Sequence, residues 1–240
     1  MVKKMIQKDL DSKGHLPILG GGPFNIGKGM VTDDSEMAMG LLRNLVKAKH
    51  EKNERPNQLS VYKRWLDSWP PDIGNTTRNA LSSGQAQPSL SNGSLMRCSP
   101  LAIYGVNLDD DNLFDQVIVD DVNCVHSKYA VSEAVKCYVY CLRNLIRTGD
   151  VKESVELAYT KTEHKLVKAW IECSKKDDRY PVFLENYELM KSADGRGQGY
   201  VGLAFQLSMF QLQNSIDLES SMIEILSQGG DTRDPICCDK

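Results

Sequence analysis

Apolar residues return every three or four positions through most of this chain, and almost nowhere every second position. Met37, Leu41, Leu42, Leu45 and Val46 form one such stripe, and Val131, Val135, Val139, Leu142 and Ile146 form a longer one. A third runs through Val201, Phe205 and Met209, and a fourth covers residues 218–226. A stripe of this period winds along one face of a helix and needs another surface to cover it. Strict alternation, the mark of a half-buried strand, is nearly absent, so the spacing predicts an all-α fold. The first stripe begins with Asp33 and Asp34 and ends in Lys47, Lys49 and His50, an order that suits the helix dipole.

Between the helical patterns stand glycine- and proline-rich stretches at 19–29, 68–77, 82–94 and 192–199. None is simple enough to be a flexible linker, and each adjoins a helical segment. Rigid loops that meet at one end of a helical bundle are a natural place for a site. A chain of 240 residues can bury one substantial core, so a single domain over 1–240 is expected. The formal charge of −3, with both signs interspersed, speaks against a nucleic-acid partner. No apolar run reaches the roughly 18 residues of a membrane span, and the N-terminal basic residues lead into no apolar core as a signal peptide would. Seven cysteines without a secretion signal fit reduced thiols and a cytoplasmic setting better than a disulfide framework. Cys137 and Cys141 lack the companion ligands of a zinc site.

Several short motifs carry possible chemistry. Thr32, Asp33 and Asp34 read either as a helix cap with first-turn acids or as hard oxygen ligands for magnesium or manganese. Ligands from one turn cannot complete an octahedron, and "GGDTRD" offers a second set of the same type in Asp231, Thr232 and Asp234. The alternative for that segment is a helix-terminating glycine followed by a turn. Two such clusters in one chain tilt the reading toward metal. Asp72, in "PPDIGNTTRNAL", sits in a turn ahead of a helix whose cap is expected at Asn75 or Thr76. Asn92, Gly93 and Ser94 form a tight loop expected at the start of an apolar helix, where backbone N–H groups can meet phosphate, although most such loops are only turns. His126, in "CVHS", is expected at a helix start, as a capping or core residue. Gly195, Gly197 and Gly199 precede a helix and would let backbone approach a pyrophosphate, a weak signal by itself.

In this order, "ILGGGPFNIGKGMVTDDSEMAMGL", "PPDIGNTTRNAL", "SNGSLMRCSPLAI", "VHSKYAVSEAV", "GQGYVGLAF" and "GGDT" resemble the ADP-ribosylglycohydrolase family, most nearly its dinitrogenase reductase-activating branch. The resemblance runs from about Ile18 to Thr232. It implies an orthogonal all-α bundle with two magnesium or manganese ions in a cleft. The implied reaction is hydrolysis of the bond between ADP-ribose and a protein side chain, arginine in the bacterial branch. Carried over by position, Thr32, Asp33, Asp34 and Asp231 would hold metal, with Asp33 also counted in the catalytic centre. Asp72 would be the general base. Asn92, Gly93, Ser94, His126, Gly197, Gly199 and Tyr200 would line the ADP-ribose cleft, with Tyr200 stacked on adenine. An oxocarbenium-like transition state at the anomeric carbon asks for a carboxylate and an activated water. The expected partners are ADP-ribose or an ADP-ribosylated protein, with no nucleic acid and no membrane.

Two departures from the family pattern stand out. Its usual opening helix with a Gly-Asp-Ala-Leu-Gly type segment and its closing helix are expected to be missing. Arg233 stands where a second metal-binding aspartate would sit, and its fixed charge opposes a nearby divalent cation. Asp234 would substitute for that ligand after a one-residue shift, although Pro235 restricts it. A catalytically impaired relative that binds ADP-ribose or has a structural role is the alternative expectation.

Overall fold

The computed structural model describes residues 2–14, 20–21, 25–52, 55–176, 182–186, 188–190, 197–214 and 217–227. Among them eleven helices follow one another: α1 (Val2–Lys13), α2 (Asp33–His50), α3 (Gln58–Leu66), α4 (Asn75–Ser83), α5 (Ser99–Gly105), α6 (Asp111–Val122), α7 (Tyr129–Thr148), α8 (Val151–Thr160), α9 (Lys165–Ser174), α10 (Val201–Asn214) and α11 (Leu218–Ser227). Between α9 and α10 lie two short strands, β1 (Val182–Phe183) and β2 (Leu189–Met190), paired antiparallel with Val182 opposite Met190. The all-α expectation holds.

The long stripe becomes α7, which turns Val131, Ala134, Val135, Cys137, Tyr138 and Cys141 into the core. Gly149, at φ 72°, ends it in the left-handed conformation that glycine adopts without a Cβ clash. That reversal lays α8 back along α7. The α10 stripe proves wider than its spacing suggests, because every residue from Val201 to Gln211 is buried. A helix apolar on all sides is a core helix, and α10 is enclosed by α7, α8, α9 and β1.

The other half of the core is formed by α2 against α3 and α5. Met37, Leu41 and Leu45 of α2 are buried completely or nearly so, which draws the whole inner face of the helix inward, first turn included. Cys98, Cys124, Cys137, Cys141 and Cys173 are free and buried. Burial pushes the thiols of Cys124 and Cys141 up to about 12, so they are packing groups rather than nucleophiles. No helix among the described residues is long and apolar enough to cross a membrane.

Three local expectations need correction. The cap of α4 is Gly74, in extended geometry with no side-chain bond, rather than Asn75 or Thr76. Thr76 instead donates its hydroxyl to Ser89 Oγ at 3.1 Å. Residues 92–97 form turns ahead of α5, which begins only at Ser99 with Pro100 in its first turn. His126 lies three residues before α7 and pairs as an isolated bridge with Gln87, outside any helix.

Candidate active site

Thr32 opens α2 in extended geometry (φ −111°, ψ −172°), yet its side chain makes no capping bond. Its hydroxyl donates to Asp34 Oδ2 at 2.9 Å, and Asp33 Oδ1 accepts the Asp34 N–H at 3.2 Å. Both carboxylates are buried, Asp34 at 1 % exposure. Asp34 Oδ1 has no hydrogen-bond partner among the described residues, and no cation there forms an ion pair with Asp34. A buried carboxylate oxygen left in that state is costly. The hydroxyl and two carboxylates are hard donors of the kind magnesium or manganese takes, so these residues fit the metal implied by the resemblance. They do not amount to a full ligand set, because the described residues contain no group of three His, Cys, Asp or Glu donors. Asp231, Asp234 and Arg233 lie outside the described residues. A cavity of about 240 Å³ opens beside Asp34 between α2 and α5, bounded also by Met39, Met96 and Ile103.

A second element of the site comes from the turn between α3 and α4, where Asp72 is buried at 4 % exposure beside Ile73. Trp65, near the end of α3, donates its indole N–H to Glu36 Oε2 at 2.8 Å. That bond ties the end of α3, the helix ahead of Asp72 in the chain, to the first turn of α2.

The Asn92–Ser94 loop and the Gly197–Tyr200 turn are stitched together by backbone hydrogen bonds. Asn92 N–H donates to the Gly199 carbonyl at 3.0 Å, and Val201 N–H donates to Leu90 at 2.8 Å. The carbonyl of Asn92 accepts from the N–H groups of Leu95 and Met96, at 2.7 and 3.0 Å. The N–H groups of Gly93 and Ser94 have no acceptor among the described residues. A Cβ at Gly199 would meet nothing within 4 Å, whereas one at Gly197 would strike Met190 at 2.2 Å. The missing side chain of Gly197 therefore leaves room for the end of the Met190 side chain. Tyr200 donates its hydroxyl to the Phe183 carbonyl at 3.1 Å and stands edge-on to Trp170.

His126 stands behind the loop. It has no exposed surface, and its ring bridges Ser91 Oγ at 2.8 Å and Ser94 Oγ at 2.7 Å. With both nitrogens engaged, it shapes the Ser91–Ser94 segment from beneath. Burial, and then the positive charge of Arg97, push its pKa down to about 3, so the ring is neutral at neutral pH.

Sequence reasoning missed a large, wholly buried polar group. Arg97 is wholly buried and donates to the Gly93 carbonyl, to the Asp121 carbonyl at 3.0 Å and to Asp121 Oδ2 at 3.1 Å. Tyr62 donates to Asp121 Oδ1 at 2.5 Å, and the guanidinium lies 4.4 Å from the centre of its ring. Burial opposes the charge on Arg97, but Asp121, Tyr62 and Cys124 together outweigh it and keep the guanidinium protonated. The available signal was a charged residue four positions after Gly93 in an otherwise apolar run, together with Asp121 inside the apolar pattern of α6.

The sequence profile described as ADP-ribosylglycohydrolase matches residues 1–234. This chain belongs to the ADP-ribosylglycohydrolase family. Membership makes it a hydrolase of the ADP-ribosylglycohydrolase type. A protein of Acanthamoeba polyphaga mimivirus, assigned by name alone as an ADP-ribosyl glycohydrolase, is 27% identical over 239 residues. That match covers 92% of this chain and 72% of the viral protein. The ADP-ribosyl-[dinitrogen reductase] glycohydrolase of Rhodospirillum rubrum is 31% identical over 98 residues, 37% of this chain and 33% of the bacterial enzyme. A solved structure described as an ADP-ribosylglycohydrolase-related protein complex superposes with a TM-score of 0.70 at 21% identity, over 93% of this chain and 73% of that one. At that identity the likeness shows the shared fold.

Proposed function

We propose that this glycohydrolase is metal-dependent and releases ADP-ribose from modified arginine on a protein. The observation that carries the metal part is Asp34, a buried carboxylate with one oxygen unpartnered among the described residues and a threonine hydroxyl on the other. Thr32, Asp33 and Asp34 would hold one side of a magnesium or manganese pair, with Asp231 and Asp234 on the other. Such ions, when bound, grip hydroxyl oxygens of the sugar and lower the pKa of a bound water.

The chain's own residues supply the rest. Asp72 is the general base, and its carboxylate takes the proton of the attacking water. The N–H groups of Gly93 and Ser94, which have no acceptor among the described residues, suit the anionic pyrophosphate. His126, neutral and clamped between two serine hydroxyls, holds that loop and does not transfer a proton. The arginine preference is supported by the likeness to the bacterial enzyme. Buried reduced thiols support a cytoplasmic setting.

Calorimetric titration of manganese or magnesium, and then of ADP-ribose, tests this reading, followed by release of ADP-ribose from an ADP-ribosyl-arginine protein. Metal binding that is required for ADP-ribose binding, with turnover, is the expected result. Arg233 favours a second reading, because it sets a fixed positive charge beside the C-terminal ligands. ADP-ribose binding without metal and without turnover would establish that second reading and overturn the first.

A further inference from the structure

Trp69 has the most exposed of the large apolar side chains described, at 89 %. Its backbone is also held at φ 58°, a left-handed conformation that a bulky L-residue adopts only against steric resistance. A glycine there would be free of that resistance, and the indole gains nothing from folding because it covers no core. Strain of this kind collects at functional sites.

The turn that carries Trp69 is well anchored. Trp69 N–H donates to the Leu66 carbonyl at 3.1 Å, and Ser68 Oγ donates to the Trp65 carbonyl at 2.6 Å. Trp65 is in turn bound to Glu36 of α2. Pro70 and Pro71 stiffen the link onward to Asp72, which limits the Trp69 to Asp72 Cα separation to about 11 Å. Met30 and Val31, just ahead of Thr32 in the chain, are also exposed, at 56 % and 54 %.

We propose that Trp69 is the platform that receives the arginine-bearing segment of the protein substrate, which makes it a specificity-determining residue outside the ADP-ribose subsite. The proposal rests on the arginine reading above. An indole face binds a planar guanidinium by cation–π attraction and stacking. Charge near the turn favours a cationic occupant, since Asp67 and Asp72 flank Trp69 in the chain. The cations of the preceding helix turn lead elsewhere: Arg64 lines the groove between α2 and α3, and Lys63 reaches toward Gly84.

The experiment compares wild type, Trp69→Ala and Trp69→Phe on two ligands, free ADP-ribose and a short peptide ADP-ribosylated on arginine. Trp69→Ala should raise KM for the peptide roughly three- to tenfold, with the loss in KM rather than kcat. ADP-ribose affinity should stay within twofold or so of wild type, and Trp69→Phe should recover most of the loss. Trp69→Gly should melt no lower than wild type, because the side chain has no structural role. An unchanged peptide KM in Trp69→Ala, or an equal loss of ADP-ribose affinity, would overturn the proposal. Wild type that binds ADP-ribose but gains nothing from the peptide would also overturn it, with the functional reading intact. Wild type that binds neither ligand would remove that reading and the proposal together.

Discussion

Acids in the first turn of a helix are usually explained by the dipole, and Asp33 and Asp34 satisfy that explanation as far as their sequence positions go. Burial changes their meaning. Asp34 is withdrawn from water with one oxygen unpartnered among the described residues. In metal-free protein, Asp34→Asn should therefore be neutral or stabilising by about 1 kcal/mol, because an amide is cheaper to bury than a carboxylate. The same variant should lose the stabilisation by manganese that wild type shows, about 2.7 kcal/mol at a hundredfold excess over Kd. Thermal melts with and without metal separate the two effects, and an unchanged metal shift in Asp34→Asn would remove Asp34 from the ligand set. His126 makes a second prediction at this scale. Its folded pKa of about 3 lies below the usual value near 6.5, so at pH 5 the unfolded chain takes up a proton that the folded chain refuses. Its contribution is complete above about pH 6.5 and declines as pH falls toward 3, a loss of about 2 kcal/mol by pH 5. His126→Gln should flatten that part of the urea-midpoint profile.

The elements were legible where one face of a helix meets the core and less so where a helix meets it on every side. The stripe of α2 and its acid-first, base-last order could be read directly, as could the place of α7. For α10 only one stripe was expected, because a helix buried all round has no polar face to give the period contrast. Its close contact with α9 yields a prediction. A Cβ on Gly202 would lie 2.5 Å from the fully buried indole of Trp170, which is fixed by its N–H bond to the Phe183 carbonyl at 2.8 Å. Gly202→Ala should cost about 1–3 kcal/mol by chemical denaturation, against the small gain alanine brings to an exposed helix position. The Arg97 network joins the 92–97 turns to α6 and, through Tyr62, to α3. Removing one partner strands the other charge, so Arg97→Met should destabilise by about 3–5 kcal/mol. Replacing Arg97 and Asp121 together by apolar residues should recover part of that loss.

At the scale of the whole molecule, the site is formed where elements distant in sequence converge. The 90–94 loop bonds to 199–201 and stands on His126, while Trp65 ties the end of α3 to the start of α2. The core that supports this convergence runs from Met37 to Met209 as one cluster of buried residues. We expect a single cooperative unfolding transition, with circular dichroism and tryptophan fluorescence coincident. Two separated transitions would show that the α2–α5 half and the α7–α10 half fold independently. The sequence by itself determined the helical class, the main amphipathic helices and the residue types on offer, since period, caps and side-chain chemistry are local properties. That Asp34 is buried with one oxygen unpartnered among the described residues, that the His126 ring bonds Ser91 and Ser94, and that Arg97 donates to the Gly93 carbonyl were decided only by the tertiary structure. Burial and hydrogen-bond partners set the energy of a polar group, and both come from segments far away in the chain.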